Sequence, residues 1–333
     1  MQRKQFVSLL CRTTTLAVMA TVAGISVPAT AQSQTYPNGP VKLVVPVAAG
    51  GGTDIAGRFL AQQLGERLGQ TVVVENRPGA SFVVGATYVA KQPANGQTIV
   101  LLSQTAAEVL QLLDPKLPFE TLRDFVPIAH TMDFHFVLLV GPNSPAKTLT
   151  EFIAMARARP GALNFGSAGG GSMGRFSMEI LMGKTGLSMQ HVAFQSEQLA
   201  MTELMAGRLD AMFATVSVAL PQLRAGRVRS LGVPVRQRLK FAPDLLTFAE
   251  QGVGDVTTAS WFGLFAPAGT PRPIVERLNR EITAILQKPE IQARLNEMGF
   301  EAGSGSADEF RQKIQTETEM WRTLVKDLKI KAD

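Results

Sequence analysis

The chain has 333 residues, with 33 Lys and Arg against 27 Asp and Glu and a single cysteine, Cys11. That length supports two lobes around a buried core, and one cysteine excludes an intramolecular disulfide and a thiolate metal cage. The +6 formal charge falls to +3 once Arg3, Lys4 and Arg12 are set aside, and only residues 224–240 are densely basic, followed by one aromatic, Phe241, which argues against nucleic acid as a partner.

Arg3, Lys4 and Arg12 accompany an apolar stretch over residues 16–27, and Ala29-Thr30-Ala31 follows. Residues 1–31 therefore read as a secretory signal peptide cut after Ala31. The apolar run is too short and too interrupted to span a bilayer. Residues 42–47 read as a strand ending in Gly50-Gly51-Gly52, and residues 53–68 as a helix capped by Thr53 or Asp54. Ile55, Phe59, Leu60, Leu64 and Leu68 share one face of it, and Gly69 ends it. Strands over residues 71–75 and 98–103 flank a Pro-Gly loop at 76–81, a helix at 84–91 and an Asn95-Gly96 turn. Strand and helix keep alternating to about Leu264, which predicts an α/β fold with a mostly parallel sheet.

Two segments, residues 134–141 and 260–267, read as crossings between lobes. Residues 32–136 and 263–333 then form lobe 1, and residues 137–262 form lobe 2. Helices over 273–286 and 307–328 follow, the second with Phe310, Ile314, Trp321, Leu324 and Leu328 on one face. Only a short strand at 300–302 separates them, so both pack back on lobe 1. A clamp of this kind closes by hinge motion.

Each lobe carries a glycine-rich loop before a helix. The first is Gly50-Gly51-Gly52, and the second is NFGSAGGGSMG over residues 164–174, before a helix at 176–183. The first N–H groups of a helix lack internal partners and carry positive partial charge, so such loops suit an anion. Two of them facing one cleft form a pincer for carboxylates. Enzymatic readings fare worse. Gly170-Gly171-Ser172-Met173-Gly174 matches a nucleophile elbow, but His191 is the only downstream histidine and Glu179 the only acid between. Gly183-Lys184-Thr185 resembles the end of a phosphate loop, yet Met178 stands where that motif needs glycine. His130 and His135 point to opposite faces of a strand beside Asp133, which separates them as metal ligands. His191 either lines the cleft or packs beneath it. No catalytic group, metal or cofactor is expected.

In order and spacing, several segments resemble the receptors of tripartite tricarboxylate transporters, the Bug family. They are Tyr36-Pro37, Gly50-Gly51-Gly52-Thr53-Asp54, VVVENRPG at 72–79, LPFETLRDF at 117–125, LPQLRAG at 220–226 and APAGTPRP at 266–273. The resemblance runs from Tyr36 to about Lys331. It implies a two-lobed periplasmic binding protein, Venus-flytrap and type II-like, each lobe a mostly parallel sheet flanked by helices. It also implies a monomeric receptor that delivers a small carboxylate to inner-membrane permease subunits. The family's ligand loops fall on Val47, Ala48, Gly51, Thr53, Asp54, Ser81, Phe82, Ser103, Gln104, Ser167, Gly170, Ser172, Phe194, Gln195, Ala214 and Thr215. Thr53, Ser103, Ser167 and Ser172 are the expected hydroxyl donors, while Asp54 caps the helix and orders the loop. Val47-Ala48-Ala49 replaces the family's Phe-Pro-Pro, Ala80-Ser81-Phe82 stands where small residues are usual, and Phe194-Gln195 replaces Tyr-Lys. Phe82 and Phe194 point to an aromatic or longer apolar carboxylate. The alternatives are a receptor that presents its ligand to a sensor protein, and a secreted esterase using Ser172.

Overall fold

A computed structural model describes residues 36–79, 81–254 and 256–327. The signal-peptide expectation and Leu328 lie outside the described residues. The elements alternate as the sequence predicts. β1 (Val41–Val45) leads to α1 (Gly52–Leu68), β2 (Val72–Asn76), α2 (Val83–Ala90) and β3 (Thr98–Ser103). A π-helical turn over Thr105–Val109 continues into α3 (Leu110–Leu113), then α4 (Thr121–Asp124) and the long β4 (Phe125–Val140). Next come α5 (Leu149–Ala158), β5 (Asn164–Ser167), α6 (Met173–Thr185), β6 (Gln190–Ala193), α7 (Glu197–Met205), β7 (Ala211–Thr215), α8 (Val216–Arg224) and β8 (Arg229–Gly232). β9 (Ala259–Pro267), α9 (Arg272–Leu286), α10 (Pro289–Glu297), β10 (Phe300–Ala302) and α11 (Ala307–Asp327) complete the order.

The main sheet path runs β2-β1-β3-β9-β4-β7-β5-β6, with β8 and β10 also paired to β4. Pairs β1/β2, β1/β3, β5/β6 and β5/β7 are parallel, and every pair made by β4 or β9 is antiparallel. Two parallel blocks therefore sit on either side of an antiparallel centre. β4 changes partners along its length. Phe125–His135 pairs β9, up to His135 opposite Ala259, whereas Phe136–Leu139 pairs β7. β9 is paired along its whole length with β3 or β4.

Helices cover both faces, so the strands read as near-continuous apolar runs instead of alternating ones. In β3, Ile99, Val100, Leu101 and Leu102 are all fully buried. α1 buries Ala56, Phe59, Leu60 and Leu64 against this sheet.

Three expectations need correction. The cap of α1 is Gly51, with no side-chain bond, because the Asp54 carboxylate turns back to the Gly50 N–H at 3.0 Å. The first crossing is the end of a 16-residue strand beginning at Phe125. α10 was not foreseen. Its start is marked by Pro289 in the first turn, and Ile291 and Leu295 form its buried stripe. The basic stretch is a solvated face: Arg224, Arg227, Arg236, Arg238 and Lys240 are exposed, and Arg238 pairs with Glu250 at 2.8 Å.

Candidate ligand-binding site

A cavity of about 540 Å³ opens where the carboxyl ends of strands meet the first turns of helices. That is where parallel α/β sheets place ligands, and the volume suits a small organic molecule. Val47 and Ala48 come from the chain after β1, Ser103 from the end of β3 and Thr215 from the end of β7. Gly52 and Thr53 open α1, Met173 and Gly174 open α6, and Glu197 opens α7.

One wall is aromatic. Phe134 and Phe136 of β4, Phe213 of β7 and Phe262 of β9 all face the cavity. Phe134 stacks on Phe262 with ring centroids 4.1 Å apart and meets Phe136 edge-on at 5.5 Å. Strand register sets hydroxyls beside these rings, since directly opposed residues share a face. Thr215 lies opposite Phe136, and Ser103 opposite Phe262.

Phe82 and Phe194 add two half-buried rings. Phe82 sits at φ +79 and Ser81 at φ +49, a left-handed conformation that side chains normally avoid and that concentrates at functional loops. The Ser81 hydroxyl accepts the Gly171 N–H at 3.2 Å, joining the first Pro-Gly loop to the second glycine loop. A Cβ on Gly171 would lie 2.6 Å from Leu110 Cδ2 and 2.8 Å from Ser81 Cβ, so only glycine fits this contact.

Of the sequence candidates, Val47, Ala48, Gly51, Thr53, Ser81, Phe82, Ser103, Ser172, Phe194, Gln195 and Thr215 line the cavity. Asp54, Gln104, Ser167, Gly170 and Ala214 do not. Asp54 accepts from Gly50, Arg58 and Asn76. Burial alone would raise its carboxyl, but those three donors outweigh it and hold the group below the usual range. Gln104 donates to Glu317 of α11 at 2.8 Å. Ser167 donates to the Gly169 carbonyl at 2.9 Å. Its oxygen is then left to accept from His191 Nε2, 2.7 Å away, which fixes the histidine tautomer. His191, stacked on Phe165, thus packs beneath the cleft and does not line it. Gly170 offers its carbonyl to Arg175 at 2.9 Å. Ala214 neighbours Thr215 on a strand, so its side chain points to the opposite face.

Ser172 is the cap of α6. Its hydroxyl donates to the Gly169 carbonyl at 2.8 Å and accepts the Arg175 N–H at 3.4 Å. A serine so engaged, with the histidine bonded to Ser167 instead, is not an activated nucleophile. His130 Nε2 meets Asp133 Oδ1 at 2.9 Å, while His135 Nε2 meets Glu301 Oε2 at 3.3 Å, so the two histidines have separate partners. Among the described residues no group of three or more metal-ligating side chains converges.

The sequence reasoning missed the aromatic wall and Glu197. Among the described residues no Lys, Arg or His lines the cavity, and Glu197 is the sole acid that does. Its carboxyl accepts the Thr215 N–H and, at 3.1 Å, the Thr215 hydroxyl, and the Gly52 N–H also donates to it. Burial pushes this carboxyl up from its ordinary value, opposed by those same donors.

A family model described as "Tripartite tricarboxylate transporter family receptor" matches residues 56–330. Among curated proteins, BugT of Bordetella pertussis is 32% identical over 94% of this chain and 95% of its own length. A UPF0065 protein of Pseudomonas sp. strain P51 is 33% identical over 94% and 95%. Among solved structures, the R. palustris protein Rpa4515 with adipate superposes with a TM-score of 0.87 at 32% identity, over 89% of this chain and 99% of that one. MatC of Rhodopseudomonas palustris with bound malate gives 0.82 at 30%, over 87% and 100%. The periplasmic binding protein BugD gives 0.83 at 28%, over 89% and 99%. These are descriptions of receptors and binding proteins, not of enzymes. With the family model matched over residues 56–330 and relatives at 32–33% identity over 94% of its length, the chain belongs to the tripartite tricarboxylate transporter family of receptors.

Proposed function

We propose that the chain is an exported periplasmic receptor that captures a carboxylate with an aromatic or otherwise apolar body and delivers it to permease subunits in the inner membrane. The observation that carries this reading is the cavity wall. Phe82, Phe134, Phe136, Phe194, Phe213 and Phe262 line it, and beside them stand hydroxyls, first-turn helix amides, Gln195 and one acid, Glu197. Solved relatives hold adipate and malate, both carboxylates.

The carboxylate end belongs at the start of α6. Met173 and Gly174 carry N–H groups that the helix cannot pair internally, and the first turn of α6 contains no acid. The helix end supplies roughly half a positive charge there, so the site needs no lysine or arginine. Hydrogen bonds to an ionised carboxylate are about twice as strong as neutral ones. The body of the ligand rests on the rings, where each Å² of apolar surface removed from water contributes about 25 cal/mol.

The lobes assigned to this receptor are residues 32–136 with 263–333, and residues 137–262. The exchange of strand partners between His135 and Phe136 supports a hinge at that point. Ser81 and Gly171 already meet across the cleft, so opening of the hinge would part them.

The test is a thermal-shift screen of the protein, unfolded and refolded to strip carried-over ligand, against aliphatic and aromatic mono-, di- and tricarboxylates. Ligand binding to the folded state alone must raise the melting temperature. The expected result is the largest shift with aromatic or long apolar carboxylates. No shift with any carboxylate would refute the reading.

A further inference from the structure

We infer that Glu197 is a built-in carboxylate that fills one of the cleft's two anion positions, so that the receptor selects monocarboxylates over dicarboxylates. This rests on the carboxylate-receptor reading above.

The arrangement is specific. Three helix starts converge on the Glu197 side chain. Gly52, the first residue of α1, points its N–H at it. Thr215, the residue before α8, gives both its N–H and its hydroxyl. Glu197 is itself the first residue of α7. Helix starts attract anions, and here the chain supplies one. Thr215 Oγ1, having donated to Glu197, accepts from Ser217 Oγ at 3.1 Å, which holds its hydroxyl in that direction. Gly52 is close-packed on the same group, since a Cβ there would meet Thr215 Oγ1 at 2.9 Å.

A ligand carboxylate approaching the start of α1 finds the Gly52 N–H and both Thr215 donors taken. To displace Glu197 it must compete with a tethered group whose effective concentration is on the order of millimolar or more. It would also leave a half-buried carboxyl without those partners. At the start of α6 there is no such competitor. Ser172, Met173 and Gly174 line this cavity together with the ring wall. The cleft therefore offers one open anion position and one apolar enclosure. Glu197 acts on ligand choice by occupying donors, whatever its charge state.

Two matched pairs of probes test this by calorimetry on the whole protein, hexanoate against adipate and benzoate against benzene-1,4-dicarboxylate. Each pair differs by one carboxylate. The expected result is at least a tenfold preference for the monocarboxylate in the pair that binds. Glu197→Ala, which empties the position, should shrink or reverse that preference at least tenfold through a gain in dicarboxylate affinity. Glu197→Gln, which keeps the shape and most of the contacts, should retain the preference and guards against misfolding of the alanine variant. Wild-type protein that binds the dicarboxylate as tightly as its partner overturns the inference and leaves the receptor reading intact. So does an unchanged ratio in a folded Glu197→Ala protein. Failure of all four probes with all three proteins overturns both.

Discussion

Glu108, in the π-helical turn behind Ser103, is fully buried, and neither carboxyl oxygen has a hydrogen-bond partner. Burial, with the Glu317 carboxylate nearby, pushes its carboxyl up to about 9, while Gln104 and Lys313 oppose only in part. Gln104's amide is already spent on Glu317 at 2.8 Å. The folded protein therefore keeps a proton on Glu108 that the unfolded chain releases in the ordinary carboxylate range. Between those two values the folded state holds more protons, so stability falls as pH rises, by about 1.4 kcal/mol per pH unit. From pH 6 to pH 8 the Glu108 contribution is at most about 2.7 kcal/mol, or a fall of roughly 5 °C in melting temperature for a chain of this size. Glu108→Gln removes the titration. Thermal melts of both proteins at pH 6, 7 and 8 cancel the other titrating groups in the difference. The variant should gain on the wild type steadily as pH rises. Parallel profiles for the two would refute the buried-proton reasoning.

Four other substitutions address the cleft. Phe82→Ala and Phe194→Ala should each weaken an aromatic carboxylate by about 1–2 kcal/mol, from the lost apolar contact; unchanged affinity in both, by titration calorimetry, would remove the basis for an aromatic ligand. Gly171→Ala has no room for its methyl beside Leu110 and Ser81, so it should lower affinity at least tenfold in the same assay, and wild-type binding would show the two loops need not touch. Ser172→Ala loses the cap of α6, at a cost of about 1 kcal/mol in a denaturant titration, together with the bond to the Gly169 carbonyl that orders the loop at the anion position. Stability and affinity both unchanged would rule out either role.

What the sequence made legible follows from periodicity and punctuation. The runs at Thr98–Ser103 and Phe300–Ala302 matched their strands, and the glycine loops located two walls of the cavity. The aromatic wall was hidden for a physical reason. Phe134, Phe136, Phe213 and Phe262 sit within buried apolar strands, where a residue facing a cavity and one facing the core look alike. Glu197 was hidden differently. An acid after Ser196 at a helix start is an ordinary capping pattern, and nothing local says that residues 52 and 215 meet it. Gln104 failed because the π-helical turn redirects the chain just after Ser103, sending its amide to α11.

The pairing of β4 with β9 governs how this chain is made. Phe125 is registered with Pro267 and His135 with Ala259, although all of β5 to β8 intervenes. Contacts so distant in sequence carry a large loop-closure cost and slow the search for the native state. During synthesis, the central antiparallel pair cannot close until residue 267 has left the ribosome, by which time residues 125–140 have long been exposed. Until then the Phe125–His135 stretch of β4 lacks its β9 partner and is open to aggregation. The central pairing of this topology thus forms late, which is compatible with passage through a membrane in extended form before folding.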